Sequence, residues 1–273
     1  MLTRLTLLAA LLIGTAQAQT SPSVRDVGPE VPRSAIYIGN SFFYYNNSMH
    51  GHVTMMQRAA GLTPMRTTSV TISGAGIDWH DVASYFRPDA VGSYSFDARN
   101  NITFNTNARL FDLAIMMDCS QCPIHPRLGA VFTDYARRHS ETVRAHGARP
   151  VFFMSWAYKD VPEMTEPLAE AYTLAGNAND ALVIPAGLAF ARSIAERPAL
   201  DLYVPDLRHP SLAGTYLAAA TTFATLLGRS PVGNPYTAGL ETETAAFLQR
   251  MAWETVQGYF GSRRAAANES MMR

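Results

Sequence analysis

The sequence predicts an α/β protein with a mostly parallel central sheet and helices on both of its faces. Two observations carry this. Short apolar or β-branched runs recur at 35–38, 67–72, 110–117, 149–157 and 181–185, with helical stretches between them. The third run is apolar at successive positions, as in a strand buried on both faces of a parallel sheet.

Composition bounds the rest. The chain is 48% hydrophobic and 16% charged, enough for a substantial core in one domain of ordinary size. Twenty-two Lys and Arg balance 22 Asp and Glu, and no basic run stands out, so nothing points to nucleic acid. There is no internal repeat and no low-complexity tract.

Residues 1–18 read as a secretory signal peptide: Arg4, an apolar run through Ile13, then the small residues of Ala16-Gln17-Ala18. The run is too short and too weakly flanked for a membrane span; a retained anchor is the alternative. No cysteine follows it, so lipid attachment is not expected, and the mature chain is expected to start at Gln19 and to be periplasmic or secreted. Residues 19–33 read as a loose lead-in.

The first strand, 35–38, ends abruptly in Gly39-Asn40-Ser41. A helical pattern follows, with Met49, Val53, Met56 and Ala60 on one face, and should end near Gly61 with Pro64 as a stop. A serine at such a strand-to-helix turn faces the open end of the sheet, where α/β proteins place their chemistry, beside N–H groups able to hold an anion. A plain turn would also use Asn and Ser. The second strand, 67–72, runs into Ser73-Gly74-Ala75-Gly76, whose glycines suit either a left-handed turn or close approach to a ligand.

A short helix is expected over 77–86, carrying Trp79 and His80. Region 88–109 alternates weakly on either side of Asn100-Asn101 and suits a small inserted hairpin, lining a cleft or merely decorative. The third strand leads into Asp118-Cys119-Ser120-Gln121-Cys122-Pro123, which holds both cysteines of the chain. In an exported protein Cys119 and Cys122 should be joined as a small structural disulfide. A redox role would need a thioredoxin-like context, and two ligands do not make a zinc site. A helix at 131–146, a fourth strand ending in Trp156-Ala157-Tyr158, a helix at 166–175 and the fifth strand follow. Trp156 either walls a cleft or belongs to the core. Asp206-Leu207-Arg208-His209-Pro210-Ser211 then precedes a strong helix at 210–227 with Gly228 at its end. An amphipathic helix at 246–260 should pack on the outside, and 261–273 should be frayed.

Here a resemblance becomes visible. Gly39-Asn40-Ser41 resembles the Gly-Asp-Ser block of the GDSL/SGNH hydrolases, with Asn in place of Asp. Asp206-x-x-His209 resembles that family's last block. The match runs from about 34 to 228, and the Trp156-Ala157-Tyr158 ending is similar to exported bacterial members with Gly-Asn-Ser at the nucleophile. The resemblance implies a three-layer α/β/α domain, flavodoxin-like, over 34–260, that cleaves an ester without a metal or other cofactor. It implies Ser41 as nucleophile, His209 as its base and Asp206 as the acid that orients the base. Oxyanion donors would be the N–H groups of Ser41 and Gly74, with Gly76 as second choice. The usual third donor, the Asn of a Gly-x-Asn-Asp block, is absent; Gln121 and Ser120 are the candidates in its place. Exported members often remove acyl or acetyl groups from carbohydrates, so a glycan ester is the expected substrate, a small or lipid ester the alternative. A catalytically silent glycan-binding protein is the reading from a different class. His50-x-His52 has metal spacing but no evident third ligand.

Overall fold

A computed structural model describes residues 20–87, 91, 94–104 and 109–261 of the chain. The expected signal peptide, the tail beyond 261 and parts of the 88–109 region lie outside these residues. The central sheet contains β1 (Ser34–Gly39), β2 (Arg66–Thr71), β5 (Leu113–Met116), β6 (Arg149–Phe153) and β7 (Leu182–Ile184). Its order is β2-β1-β5-β6-β7 and every pairing is parallel. The chain thus starts inside the sheet, steps once to the edge, then crosses to the other side. That reversal puts the ends of β1 and β5 side by side at the point where doubly wound sheets bind their ligands.

Strand alternation divides the core in two. Tyr37, Ile115, Phe153 and Ile184 point to one face, where they meet α2 (Met49–Ala59), α6 (Ala186–Glu196) and α7 (Leu212–Leu227). Ile36, Ile38, Met116, Phe152 and Val183 point to the other, against α3 (Val82–Tyr85), α4 (Gly129–Ala145) and α5 (Thr165–Ala178). The result is a three-layer α/β/α sandwich. α7 is buried from Ala213 through Leu226, because α8 (Thr242–Phe260) lies across its outer side and also touches α6. Ser211 caps α7 by accepting the Gly214 N–H, and Gly228 ends it in the left-handed conformation.

Several expectations need adjustment. The helix after Ser41 is two helices. α1 spans only Ser41–Tyr44, and the chain then passes through three successive left-handed residues, Asn46, Asn47 and Ser48, before α2 begins. Apolar spacing continues across the break, which is why periodicity alone misses it; the Asn-Asn-Ser run that tolerates positive φ was the available signal. The 77–86 helix is likewise split, into a 3₁₀ turn at Ile77–Trp79 and α3. The lead-in has no regular structure but is tied down: Thr20 to Glu170, Ser23 to Asn177, and the Arg25 guanidinium to the Phe260 carbonyl. The hairpin exists, as β3 (Tyr94–Phe96) paired antiparallel with β4 (Ile102–Phe104). Its Tyr94, Phe96, Ile102 and Phe104 side chains are 53–63% exposed, so it adds nothing to the core.

α8 is an integral part of that core rather than an appendage, since Leu248, Met251, Ala252 and Val256 are fully buried. Met251→Ala should therefore cost about 2–5 kcal/mol, the range for emptying a closed core position. Denaturant unfolding measures it, and a loss under about 0.5 kcal/mol, the size of surface effects, would show α8 to be peripheral.

Candidate active site

The site grows from the end of β1. Asn40 caps α1, its side-chain oxygen accepting the Phe42 N–H at 3.2 Å. Its side-chain nitrogen donates to two backbone carbonyls, Ala75 at 3.0 Å and Asp118 at 3.1 Å. One carboxamide thereby joins the loops that follow β1, β2 and β5. The residue is buried, so each of these bonds is expensive to leave unmade. A carboxylate in its place would accept the Phe42 N–H but would turn an anion toward two carbonyl oxygens. This gives the Asn of Gly39-Asn40-Ser41 a physical reason.

Ser41 follows on the first turn of α1. Its Oγ lies 2.7 Å from His209 Nε2, and His209 Nδ1 lies 2.5 Å from Asp206 Oδ2. The Asp206 carboxylate also accepts the N–H groups of Arg208 and His209 on Oδ1, both at 2.9 Å. Slight burial pushes the Asp206 pKa upward, but the bonds from the His209 imidazole and the two backbone N–H groups outweigh it and hold the carboxyl at about 2. An ionised carboxylate can only accept, so Nδ1 carries the proton and Nε2 of the neutral ring is left to accept the Ser41 hydroxyl. The geometry itself thus selects the tautomer that can deprotonate Ser41.

The His209 ring is clamped between aromatic groups. Tyr45 stacks on it at 4.4 Å between centroids, and Phe42 meets it edge-on at 5.6 Å. The loop that bears it is held at several points. Trp156 donates its indole N–H to the Arg208 carbonyl at 3.0 Å, and the Lys159 N–H donates to the Leu207 carbonyl at 2.9 Å. Asn46 donates to the Pro210 carbonyl and to Thr215. Leu207 itself takes a positive φ of 65°, and the Arg208 guanidinium lies over the Tyr158 ring. Trp156 is fully buried, in a three-ring stack between Phe42 and Phe190 with interplanar angles of 4° and 5°. It belongs to the core, one of its two readings, and through its indole N–H it also steadies the Asp206–His209 loop. Asn46 and Tyr45 escaped sequence reasoning altogether. The Asn-Asn pair after the nucleophile turn was the signal for the first; nothing marked the second.

The two glycines of the 73–76 loop differ in why they are glycine. Gly74 has φ +70° with open space around its Cα, so conformation is its requirement. A Cβ on Gly76 would lie 3.2 Å from an Asp118 carboxylate oxygen and 2.5 Å from that of Asp78, so close approach is its requirement. Among the described residues, neither the Ser41 N–H nor the Gly74 N–H is engaged by another group of the chain. Asp118 is the second bracket of the site. It is buried, and its Oδ1 accepts the N–H groups of Ile77 at 2.8 Å and Cys119 at 2.8 Å. Burial dominates over these two bonds and raises its carboxyl from the usual 3.8 to about 6.

Cys119 and Cys122 are joined in a disulfide, Cα to Cα 5.2 Å. Asp118, Cys119 and Cys122 group donor atoms of metal-ligand type, but both sulfurs are spent in that bond. Gln121 is exposed and its side-chain amide has no hydrogen-bond partner among the described residues, while the Ser120 hydroxyl is paired with Tyr158 at 2.6 Å. The structure thus brings Ser41, His209 and Asp206 together and does not tie Gln121 to them. His52 is occupied by Tyr236 and the Asn46 carbonyl, and His50 packs against the Tyr37 ring. His80 and His139 each hold a backbone carbonyl, of Gly39 and of Ile77.

No family profile and no curated protein matches the chain. Solved structures do. A DUF4886 family protein from Bacteroides uniformis superposes with a TM-score of 0.61 at 18% identity, over 84% of this chain and 96% of that one. The chain shares with that protein a three-layer α/β/α fold around a five-stranded parallel sheet. Weaker likenesses, at TM-scores of 0.49 and 0.48, are to a lipase/acylhydrolase from Enterococcus faecalis and to the psychrotrophic esterase EstA from Pseudoalteromonas. The first is 13% identical over 72% of this chain and 96% of the other, the second 10% over 71% and 96%. At 18% identity the likeness to the Bacteroides uniformis protein speaks to the fold alone.

Two outcomes test the brackets. Asn40→Asp should lower stability by about 1–3 kcal/mol, the cost of an unsatisfied buried group, and should reduce any turnover the site supports. A variant as stable as the parent would mean that the two carbonyls do not need their donor. For Asp118, the folded protein keeps a proton between pH 3.8 and about 6 that the unfolded chain has released. Stability should therefore fall as pH rises through that window, by roughly 1–3 kcal/mol in all. Asp118→Asn, which keeps the acceptor for both N–H groups, should flatten the fall; urea melts across pH 3.5–7 measure it.

Proposed function

We propose that the protein is an exported serine esterase acting through an acyl-enzyme. The observation that carries this is the unbroken line of hydrogen bonds from Asp206 through His209 to Ser41. A serine hydroxyl is a poor nucleophile until a base takes its proton. His209 receives that proton on Nε2 as Oγ forms a bond to the ester carbonyl carbon. Asp206 stabilises the imidazolium and keeps its orientation. The carbonyl oxygen, now negative, is met by the Ser41 and Gly74 N–H groups, with Gln121 as candidate third donor after a side-chain rotation. His209 then returns the proton to the departing alcohol oxygen as the C–O bond breaks. Water repeats the sequence on the acyl-enzyme, with His209 again as base, and frees the acid.

The substrate reading is an acyl or acetyl ester of a carbohydrate. Tyr44 and Tyr45 stack 5.8 Å apart beside His209, Tyr44 exposed and Tyr45 half-buried, aromatic surface of a kind suited to a sugar. Small and lipid esters are the alternative. The disulfide in a chain of two cysteines agrees with an oxidising compartment, and supports reading 1–18 as a cleaved export signal. No helix among the described residues is long and apolar enough to cross a membrane.

A fluorophosphonate probe should label one serine, and Ser41→Ala should abolish labelling while the protein stays folded. His209→Ala should reduce hydrolysis of p-nitrophenyl acetate by about 10³-fold or more. A parent protein that neither reacts with the probe nor turns over p-nitrophenyl acetate, yet binds acetylated oligosaccharide, would establish the binding-only reading instead. In the same assay, Gln121→Ala should lower kcat by about 10²-fold with KM little changed if its amide serves the oxyanion; full kcat would leave the backbone donors alone in that role.

A further inference from the structure

The loop that carries Cys119 and Cys122 is held in place without the bond between them. The Asp118 carbonyl accepts from the Asn40 carboxamide, and the Asp118 N–H donates to the Tyr172 hydroxyl at 3.2 Å. The Ser120 hydroxyl pairs with that of Tyr158, and the Ser120 carbonyl accepts the Ser155 hydroxyl at 3.3 Å. The Ile124 N–H donates to the Gln121 carbonyl at 3.1 Å. A disulfide between residues three apart adds little to these supports, because it closes so short a loop that it restricts the unfolded chain only slightly. Stability is therefore a weak reason for the chain to spend both of its cysteines here.

The two sulfurs are not equivalent. Cys119 is half-buried and Cys122 is buried, so Cys119 is the more open to a thiol from solution. The Cys122 N–H donates to Cys119 Sγ at 3.1 Å as well as to the Cys119 carbonyl at 3.3 Å. A donor on that sulfur steadies negative charge there and favours the thiolate, the reactive form. An acid–base group stands beside the pair. An Asp118 carboxylate oxygen and the two sulfurs lie within 4.8 Å of one another. Burial raises the Asp118 carboxyl to about 6, which suits it to exchanging protons near neutral pH.

We propose that Cys119–Cys122 is a thiol–disulfide exchange site, with Cys119 as the sulfur attacked and Asp118 as the proton donor to Cys122. A thiolate from solution forms a bond to Cys119 Sγ. The S–S bond breaks, its electron pair leaves on Cys122 Sγ, and that sulfur takes a proton from Asp118. A second thiolate attacks the outer sulfur of the mixed disulfide and releases Cys119 as the thiolate that the Cys122 N–H holds. Two external thiols are thereby oxidised to a disulfide, the two cysteines are reduced, and Asp118 regains its proton from solvent. No triad residue takes part, so the proposal stands apart from the esterase reading.

Treating the folded protein with excess glutathione at pH 7, trapping free thiols with iodoacetamide and locating them by mass spectrometry tests it. The bridge should open while circular dichroism shows the fold intact, and an early quench should find glutathione on Cys119. With oxidised glutathione, the lone Cys119 of Cys122→Ser should react about tenfold or more faster than the lone Cys122 of Cys119→Ser. Asp118→Asn should slow the opening by about tenfold. A bridge that opens only in urea, glutathione found chiefly on Cys122, a lone Cys122 as fast as Cys119, or a folded Asp118→Asn protein that opens at the parent rate would each overturn the proposal. The comparison of the two single-cysteine variants decides it even if Asp118→Asn does not fold.

Discussion

The buried carboxamide of Asn40 is the interaction on which the site depends. A parallel sheet delivers the ends of its strands to one edge, but it does not hold the loops that follow them in register. Those loops carry Ser41 after β1, Gly74 after β2 and the disulfide after β5. Asn40 donates to two of them and accepts from its own. Asp118 adds the complementary half, accepting one N–H from the 76–79 turn and one from its own loop while its carbonyl receives Asn40. Donors and acceptors are matched across three chain segments, and both side chains are buried. That is why a one-atom change from amide to acid matters here.

A different device positions the opposite side of the site. The Asp206–His209 loop has no strand to anchor it, and it includes a non-glycine residue at positive φ, Leu207. Its carbonyls are caught one at a time, at Leu207 by Lys159, at Arg208 by Trp156 and at Pro210 by Asn46. Trp156 and Lys159 lie in the segment after β6, and Asn46 in the link between α1 and α2. The indole of Trp156 is the firmest, because stacking on both faces leaves it no alternative rotamer. The Ser41 turn and the Asp206–His209 loop thereby share supports, since Phe42 belongs to one and packs on the holder of the other.

How much of this was legible follows from the range of the forces involved. Strands and their order of appearance were readable because apolar alternation is local; Ser41 stood out by its place at a strand end, and Asp206 and His209 by the resemblance of Asp206-x-x-His209 to a known block, while the contact among the three is long-range. The partners that hold them are distant in sequence. Asp118 looked like an ordinary loop residue until the Ile77 N–H was found on it. Tyr45 had no pattern at all, since a ring that stacks on His209 from 164 residues away leaves no trace in either neighbourhood. The break between α1 and α2 was obscured for the converse reason: apolar spacing persisted through it, and only the left-handed tolerance of Asn46 and Asn47 recorded the bend.

That bend has a consequence for how the site is built. A continuous helix from Ser41 to Ala59 would carry the Asn46 amide and the Tyr45 ring away on a regular spiral, about 100° further round the axis with each residue. Stopping α1 after one turn lets the chain fold back, so that Asn46 reaches Pro210 and Thr215 on the α7 side while Tyr45 lies flat on His209. His52, the second member of the His-x-His pair, then fastens the bend by bonding the Asn46 carbonyl at 2.7 Å and Tyr236 at 2.8 Å. The second histidine of the His50-x-His52 pair is thus engaged by the chain itself. The left-handed residues are costly for all but glycine and a few polar side chains, and the fold tolerates that cost because the bend brings two groups of the 45–46 segment onto the acid–base loop at once.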